Sequence, residues 1–137
     1  MSATRVDLAR RGFDVWRSRD FDRLDEVAIE DFVFIPAIAT GVEGGGVRGK
    51  EGSRQFFESQ DETWESFDID AEEFREVGDR VLIDGHVRAR GRGSGVDFEQ
   101  PLLMVVWFRD GKVARVQSFL DRDQANEAAT KELEEVQ

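Results

Sequence analysis

The stretch Arg80-Val81-Leu82-Ile83-Asp84-Gly85-His86-Val87-Arg88-Ala89-Arg90-Gly91-Arg92 decides the fold. Val81, Ile83, Val87 and Ala89 form one set, and positions 82, 84, 86 and 88 form the other, the period of two that marks a β-strand. Turn residues bracket it, Gly78-Asp79 before and Gly93-Ser94-Gly95 after. Outward from these turns, Phe67 to Val77, Phe98 to Arg109 and Val113 to Leu120 read as further strands, the last two separated by Asp110-Gly111. Breaks this short join neighbours as hairpins, so the second half reads as an antiparallel meander of four strands.

Upstream the period lengthens. Val6, Ala9, Phe13 and Trp16 form one stripe of an amphipathic helix. Asp20 can cap a second, short helix that buries Phe21, Leu24 and Val27. Phe32 to Ile35 reads as a strand stopped by Pro36, and a glycine-rich loop from Gly41 to Gly49 leads into a third helix carrying Phe56, Phe57 and Trp64. A last helix is expected from about Asp121 to Ala129, followed by the acidic segment Lys131-Glu132-Leu133-Glu134-Glu135, a fraying, solvated end. No repeat or linker interrupts the 137 residues, which predicts a single α+β domain with an ordered core over about residues 5–128.

Composition narrows the partners. Hydrophobic residues make up 39% and charged residues 36%, the mixture of a folded, soluble chain. A net charge of −11 repels nucleic acid and anionic membranes alike. The absence of cysteine excludes disulfide and thiolate chemistry and fits a cytoplasmic location, and the first residues lack the apolar core of a signal peptide. Gly44-Gly45-Gly46-Val47-Arg48-Gly49-Lys50 follows the phosphate-loop spacing, but Glu51 stands where a Ser or Thr would hold the metal. Asp121-Arg122-Asp123 starts like a calcium loop without its later ligands and reads instead as a helix N-cap. Arg88, Arg90 and Arg92 read as ion-pair partners of acids such as Asp97 and Glu99. No metal or cofactor is expected.

His86 is the single histidine, and the chain has no tyrosine. Proton transfer near neutral pH therefore has one natural side chain, and Asp84, two residues away, shares its face of the strand. Simple alternation sends the apolar odd set to the core and Asp84 with His86 to solvent.

The order of elements resembles the nuclear-transport-factor-two-like superfamily, most closely its SnoaL-like and ketosteroid-isomerase-like members. The resemblance rests on Ser18-Arg19-Asp20-Phe21-Asp22, Arg48-Gly49-Lys50-Glu51-Gly52, Val106-Trp107-Phe108-Arg109-Asp110-Gly111-Lys112-Val113 and Phe119-Leu120-Asp121-Arg122, four phrases in the family's order. It implies a cone-shaped curved antiparallel sheet with the N-terminal helices on its concave face, around a deep apolar pocket. It also implies a homodimer through the outer sheet face, with Trp107, Leu103 and Val105 in the interface. Under the same resemblance Asp84 and His86 look into the pocket, contrary to simple alternation. His86 is then the general base and Asp84 its orienting or partner acid, in an isomerase, dehydratase or cyclase acting on an apolar, polyketide-like carbonyl compound. Trp16, Phe34, Trp64, Met104, Ser118 and Leu120 would line the site. The ketosteroid-isomerase mechanism itself does not carry over, since its base and second acid fall at Pro36 and Met104. The acid set of the limonene-epoxide hydrolases falls near Asp84, His86 and Ser118 and keeps one carboxylate. The alternative is a ligand-binding or dimerisation domain without catalysis.

Overall fold

In the computed structural model, which describes residues 4–37 and 46–130, helix α1 (Arg5–Arg17) opens the chain and a 3-10 helix (Phe21–Glu26) follows. Thr4 caps α1 by accepting a hydrogen bond from the Asp7 amide at 3.0 Å, while Asp7 and Arg17 sit at the ends the helix dipole favours. Asp20 makes no side-chain cap to the 3-10 helix, contrary to its expected role. Strands β1 (Ala28–Ile35) and β2 (Val47–Arg48), helix α2 (Gly49–Thr63), strands β3 (Trp64–Val77), β4 (Arg80–Gly91), β5 (Asp97–Arg109) and β6 (Lys112–Phe119), and helix α3 (Arg122–Thr130) complete it. Trp64 was expected on the third helix; it instead opens β3, because the backbone turns extended there (φ −118°, ψ 139°). The glycine-rich loop up to Gly45 and the acidic segment from Lys131 lie outside the described residues. At the loop's far end Val47 and Arg48 pair with β1 as a strand.

The six strands form a curved, unclosed sheet in the order β2-β1-β6-β5-β4-β3. β3 to β6 are the expected antiparallel meander, whereas β1 joins β6 in parallel. Helices α1 and α2 cover the inner face. There Ile83, Val87, Met104, Val106 and Ile69 meet Phe13, Trp16, Phe34, Phe56 and Phe57 in the main core. α3 covers part of the outer face, where Ala125 and Ala129 pack on Leu82, Leu103, Val105 and Trp107. Asp121 caps α3 as its sequence suggested, its carboxylate accepting from the amides of Asp123 and Gln124 at 2.7 and 3.1 Å.

β4 sits between β3 and β5, and a bulge between Ala71 and Glu73 interrupts its ladder with β3. Gly85 makes that bulge possible: a Cβ there would lie 2.1 Å from the Asp70 carbonyl oxygen. The arginines of this hairpin pair locally, Arg88 with Asp70 and Arg90 with Asp97, and Arg92 donates to the carbonyls of Asp61 and Trp64. No helix among the described residues is long and apolar enough to cross a membrane.

Candidate functional site

The stripe of α1 meets the inner face of the sheet incompletely and leaves a cavity of about 50 Å³. Trp16 and Phe13 from α1, Phe32 and Phe34 from β1, and Ile83 and Met104 from β4 and β5 are among its walls. Every described residue of the lining is apolar or glycine, and none is titratable. A second cavity, about 20 Å³, lies further along the same inner face, against Pro36, Phe56, Phe67, Val87, Leu102 and Ser118. An aromatic cluster stands over both: the Trp16 ring lies 4.8 Å from Phe34 and 4.7 Å from Phe57, and Phe34 lies 5.2 Å from Phe56.

Two polar side chains at these cavities, those of Trp16 and Ser118, are already engaged. The Trp16 indole N–H donates to the Ser53 hydroxyl at 3.3 Å, in a fully buried contact. The Ser118 hydroxyl accepts from the Ala37 amide at 2.6 Å and donates to the Ile35 carbonyl at 3.4 Å, tying β6 to the end of β1. A serine used in this way is a structural tie rather than a nucleophile.

The expected lining residues therefore separate. Trp16, Phe34 and Met104 face the larger cavity, and Phe34 and Ser118 the smaller. Trp64 borders neither; it stacks on Phe98 at 6.1 Å and donates its indole N–H to Gln60 at 3.0 Å. Leu120 is 42% exposed beyond the end of β6.

Asp84 and His86 occupy the outer face, and the expectation that they look into the pocket is corrected. Val81, Ile83 and Val87 belong to the main core, whereas Leu82, of the same parity as Asp84 and His86, belongs to the cluster under α3. Burying apolar side chains is worth roughly 1.5–3 kcal/mol each, and burying an unpaired charge costs more than that, so the simple alternation prevails. Asp84 is held by the Arg122 guanidinium of α3, at 2.5 and 3.4 Å, and this contact raises the Arg122 pKa. His86 presents Nδ1 to Glu72 of the bulge at 3.0 Å. Each residue has its own charged partner, and neither lines either cavity.

The outer-face set also departs from expectation. Leu103, Val105 and Trp107 are at most 6% exposed because α3 of the same chain covers them. They form an internal layer, not a free dimer face. Sequence reasoning missed Ile83, Val106, Val113 and Val116 as cavity walls. The alternation along β4 was the signal for the first of them. Among the described residues no cluster of three or more acidic or histidine side chains is arranged to hold a metal.

Solved structures share this architecture. An NTF2-like protein from Burkholderia thailandensis E264 superposes with a TM-score of 0.74 at 18% identity, covering 95% of this chain and 100% of that one. TerC, co-crystallised with polyporic acid, gives a TM-score of 0.71 at 20% identity over 90% of this chain and 95% of that one. A putative SnoaL-like polyketide cyclase from Jannaschia sp. CCS1 gives 0.67 at 18% identity over 96% and 99%. At these identities the likeness establishes the fold alone. No curated protein matches the chain. The SnoaL-like domain family matches residues 9–116, from the middle of α1 into β6, and the chain belongs to that family.

Proposed function

We propose that this chain is a small-molecule pocket protein of the SnoaL-like type that holds an uncharged, apolar guest between α1 and the sheet. On this reading it does so without acid–base chemistry from Asp84 and His86. The observation that carries the reading is the wall of the larger cavity, built from apolar side chains and one glycine among the described residues. Such a wall gives a guest burial and shape but no proton donor or acceptor, the balance of a binding site rather than an isomerase site. TerC, on the same fold, was co-crystallised with polyporic acid, which supports small-molecule binding as a use of this fold.

Xenon is the first probe, because an apolar cavity of this kind stays dry and takes up apolar atoms. Under xenon pressure, methyl resonances of Met104, Ile83 and Val106 are expected to shift while those of Leu82 and Val105 on the outer face stay put. His86→Gln should leave that response unchanged. An unresponsive Met104 refutes the reading, and a His86→Gln chain that loses the response restores the histidine to the site.

A second reading, a homodimer through the outer face, is favoured by Arg115. Its guanidinium is half-buried against the Trp107 ring at 4.9 Å and hydrogen-bonded to Gln117 at 2.8 Å, with no ion-pair partner among the described residues. Desolvation lowers its pKa, a cost that a carboxylate from a second copy of this acidic chain would offset. The contact would centre on the row Arg48, Val33 and Arg115, beyond the edge of α3. Sedimentation should find a dimer that Arg115→Glu weakens at least tenfold; a wild-type monomer at tens of micromolar rules this reading out.

A further inference from the structure

We propose that Phe34 sets the size of guest the chamber admits, its ring being the partition between two cavities that would otherwise be one. The proposal rests on the apolar-guest reading above and adds a limit to it.

Phe34 is the single described residue that lines both cavities. The two lie side by side on a continuous floor. Met104 borders the larger, and its register partner across β5 and β6, Ser118, borders the smaller. Leu102, two residues from Met104 on the same strand face, also borders the smaller. The two cavities thus border neighbouring positions of the sheet, and Phe34 is the residue they share.

That ring is held by packing alone. It is 3% exposed and lies 4.8 Å from Trp16 and 5.2 Å from Phe56, in tilted and edge-on contacts that impose no hydrogen bond. The backbone of Phe34 is fixed more firmly, paired with Val47 of β2 on one side and Val116 of β6 on the other. Its side chain can therefore be shortened with the strand left in place. An apolar cavity of about 150 Å³ accommodates benzene. The larger cavity here is about 50 Å³, below that requirement, and it reaches benzene scale when the ring is removed and the second cavity joins it. The wild-type site thus takes a guest of xenon size, and the residue at position 34 decides whether an aromatic ring fits. No charged side chain borders either cavity among the described residues, so the larger guest would still be an uncharged hydrocarbon or a weakly polar aromatic.

The test uses the full chain as wild type, Phe34→Leu and Phe34→Ala, each titrated with xenon, benzene and naphthalene and followed by methyl NMR. Met104 reports the larger cavity and Val87 the smaller. In the wild type, xenon should shift Met104 while naphthalene shifts neither. In Phe34→Ala, benzene should bind at least tenfold more tightly than in the wild type and shift Met104 and Val87 together, while naphthalene stays excluded. Phe34→Leu frees less space, and there xenon should shift Met104 and Val87 together, which keeps the experiment decisive if Phe34→Ala fails to fold. If xenon moves Met104 but benzene binds all three chains equally, or none of them, the partition role is overturned and the apolar-guest reading stands. If xenon leaves Met104 unmoved in the wild type, the apolar-guest reading itself falls.

Discussion

His86 shows how far the chemistry of one residue type can outrun its placement. As the only histidine it drew the expected proton transfer to itself, and the argument from residue type was sound. Four residues away, Leu82 marks the face it shares, and that face meets α3 and solvent, not the cavity. The residues that do border the cavity are Trp16, Phe34, Met104 and Ile83, chemically plain and legible in sequence only as periodic apolar positions. Ion pairs on the outside still leave measurable signs. Arg19 holds both oxygens of Asp61, at 2.8 and 3.1 Å, and lowers the Asp61 pKa, with desolvation opposing. The folded value lies below the unfolded one, about 3.9, so the pair contributes stability above that pH and loses it as pH falls through the folded value. Asp61→Asn should therefore lower the urea midpoint at pH 7, by less than about 1 kcal/mol because the pair is half exposed. The deficit should vanish near pH 2. A deficit that stays constant between pH 7 and pH 2 would remove the ion pair as its cause.

Two glycines separate what an element needs for its fold from what it leaves open for a guest. In β4, a methyl group at Gly85 would meet the Asp70 carbonyl at 2.1 Å, a backbone atom that cannot turn aside. Gly85→Ala should force the bulge of β3 open at a cost of about 1–3 kcal/mol or more, read from urea denaturation; an unaffected midpoint would mean that the bulge does not depend on a glycine there. In α1, a methyl at Gly12 would find only ordinary contacts, 3.6 Å from Val27 and 3.7 Å from Val113. Gly12→Ala should stabilise the chain by about 0.5–1 kcal/mol through helix propensity. Since Gly12 lines the larger cavity, the same change should also weaken the xenon response of Met104. A more stable variant with an undiminished response would show that Gly12 does not keep the cavity open. At this scale the sequence was most legible. The strands of the meander and their turns followed from period-two alternation and from Gly78-Asp79, Gly93-Ser94-Gly95 and Asp110-Gly111, all local signals. The parallel pairing of β1 with β6 had no local signal, because its partners lie about eighty residues apart in the chain. The bulge at Glu72 had a faint one, a glycine in mid-strand.

The molecule as a whole buries apolar side chains on both faces of one sheet, and this is why the face of β4 was hard to assign from sequence. Leu82, Leu103, Val105 and Trp107 are as apolar as their inner-face neighbours, so composition could not tell a dimer surface from an internal layer. The difference lies in α3, whose small residues Ala125 and Ala129 let the helix lie close to the sheet. Two polar contacts hold the helix to β4. Arg80 donates to the Ala128 carbonyl at 2.7 Å near its C-terminal end, and Arg122 grips Asp84 at its start. Asp84 thus has a place in the fold as an anchor for the outer helix. Ala125 is fully buried, so Ala125→Glu would put an unpaired carboxylate into this layer and lift α3 away. The inner core does not depend on that contact, and the variant should keep its cavity methyl shifts and its xenon response. Its outer face should now be bare, an apolar patch that associates with other copies and raises the apparent mass in light scattering. Glu127→Ala, an exposed change on the same helix, should do neither. If Ala125→Glu remained at the wild-type mass with an unshifted urea midpoint, α3 would not be the cover of the outer layer. The burial of Leu103, Val105 and Trp107 would then need another partner, and a second copy of the chain would be the first to test.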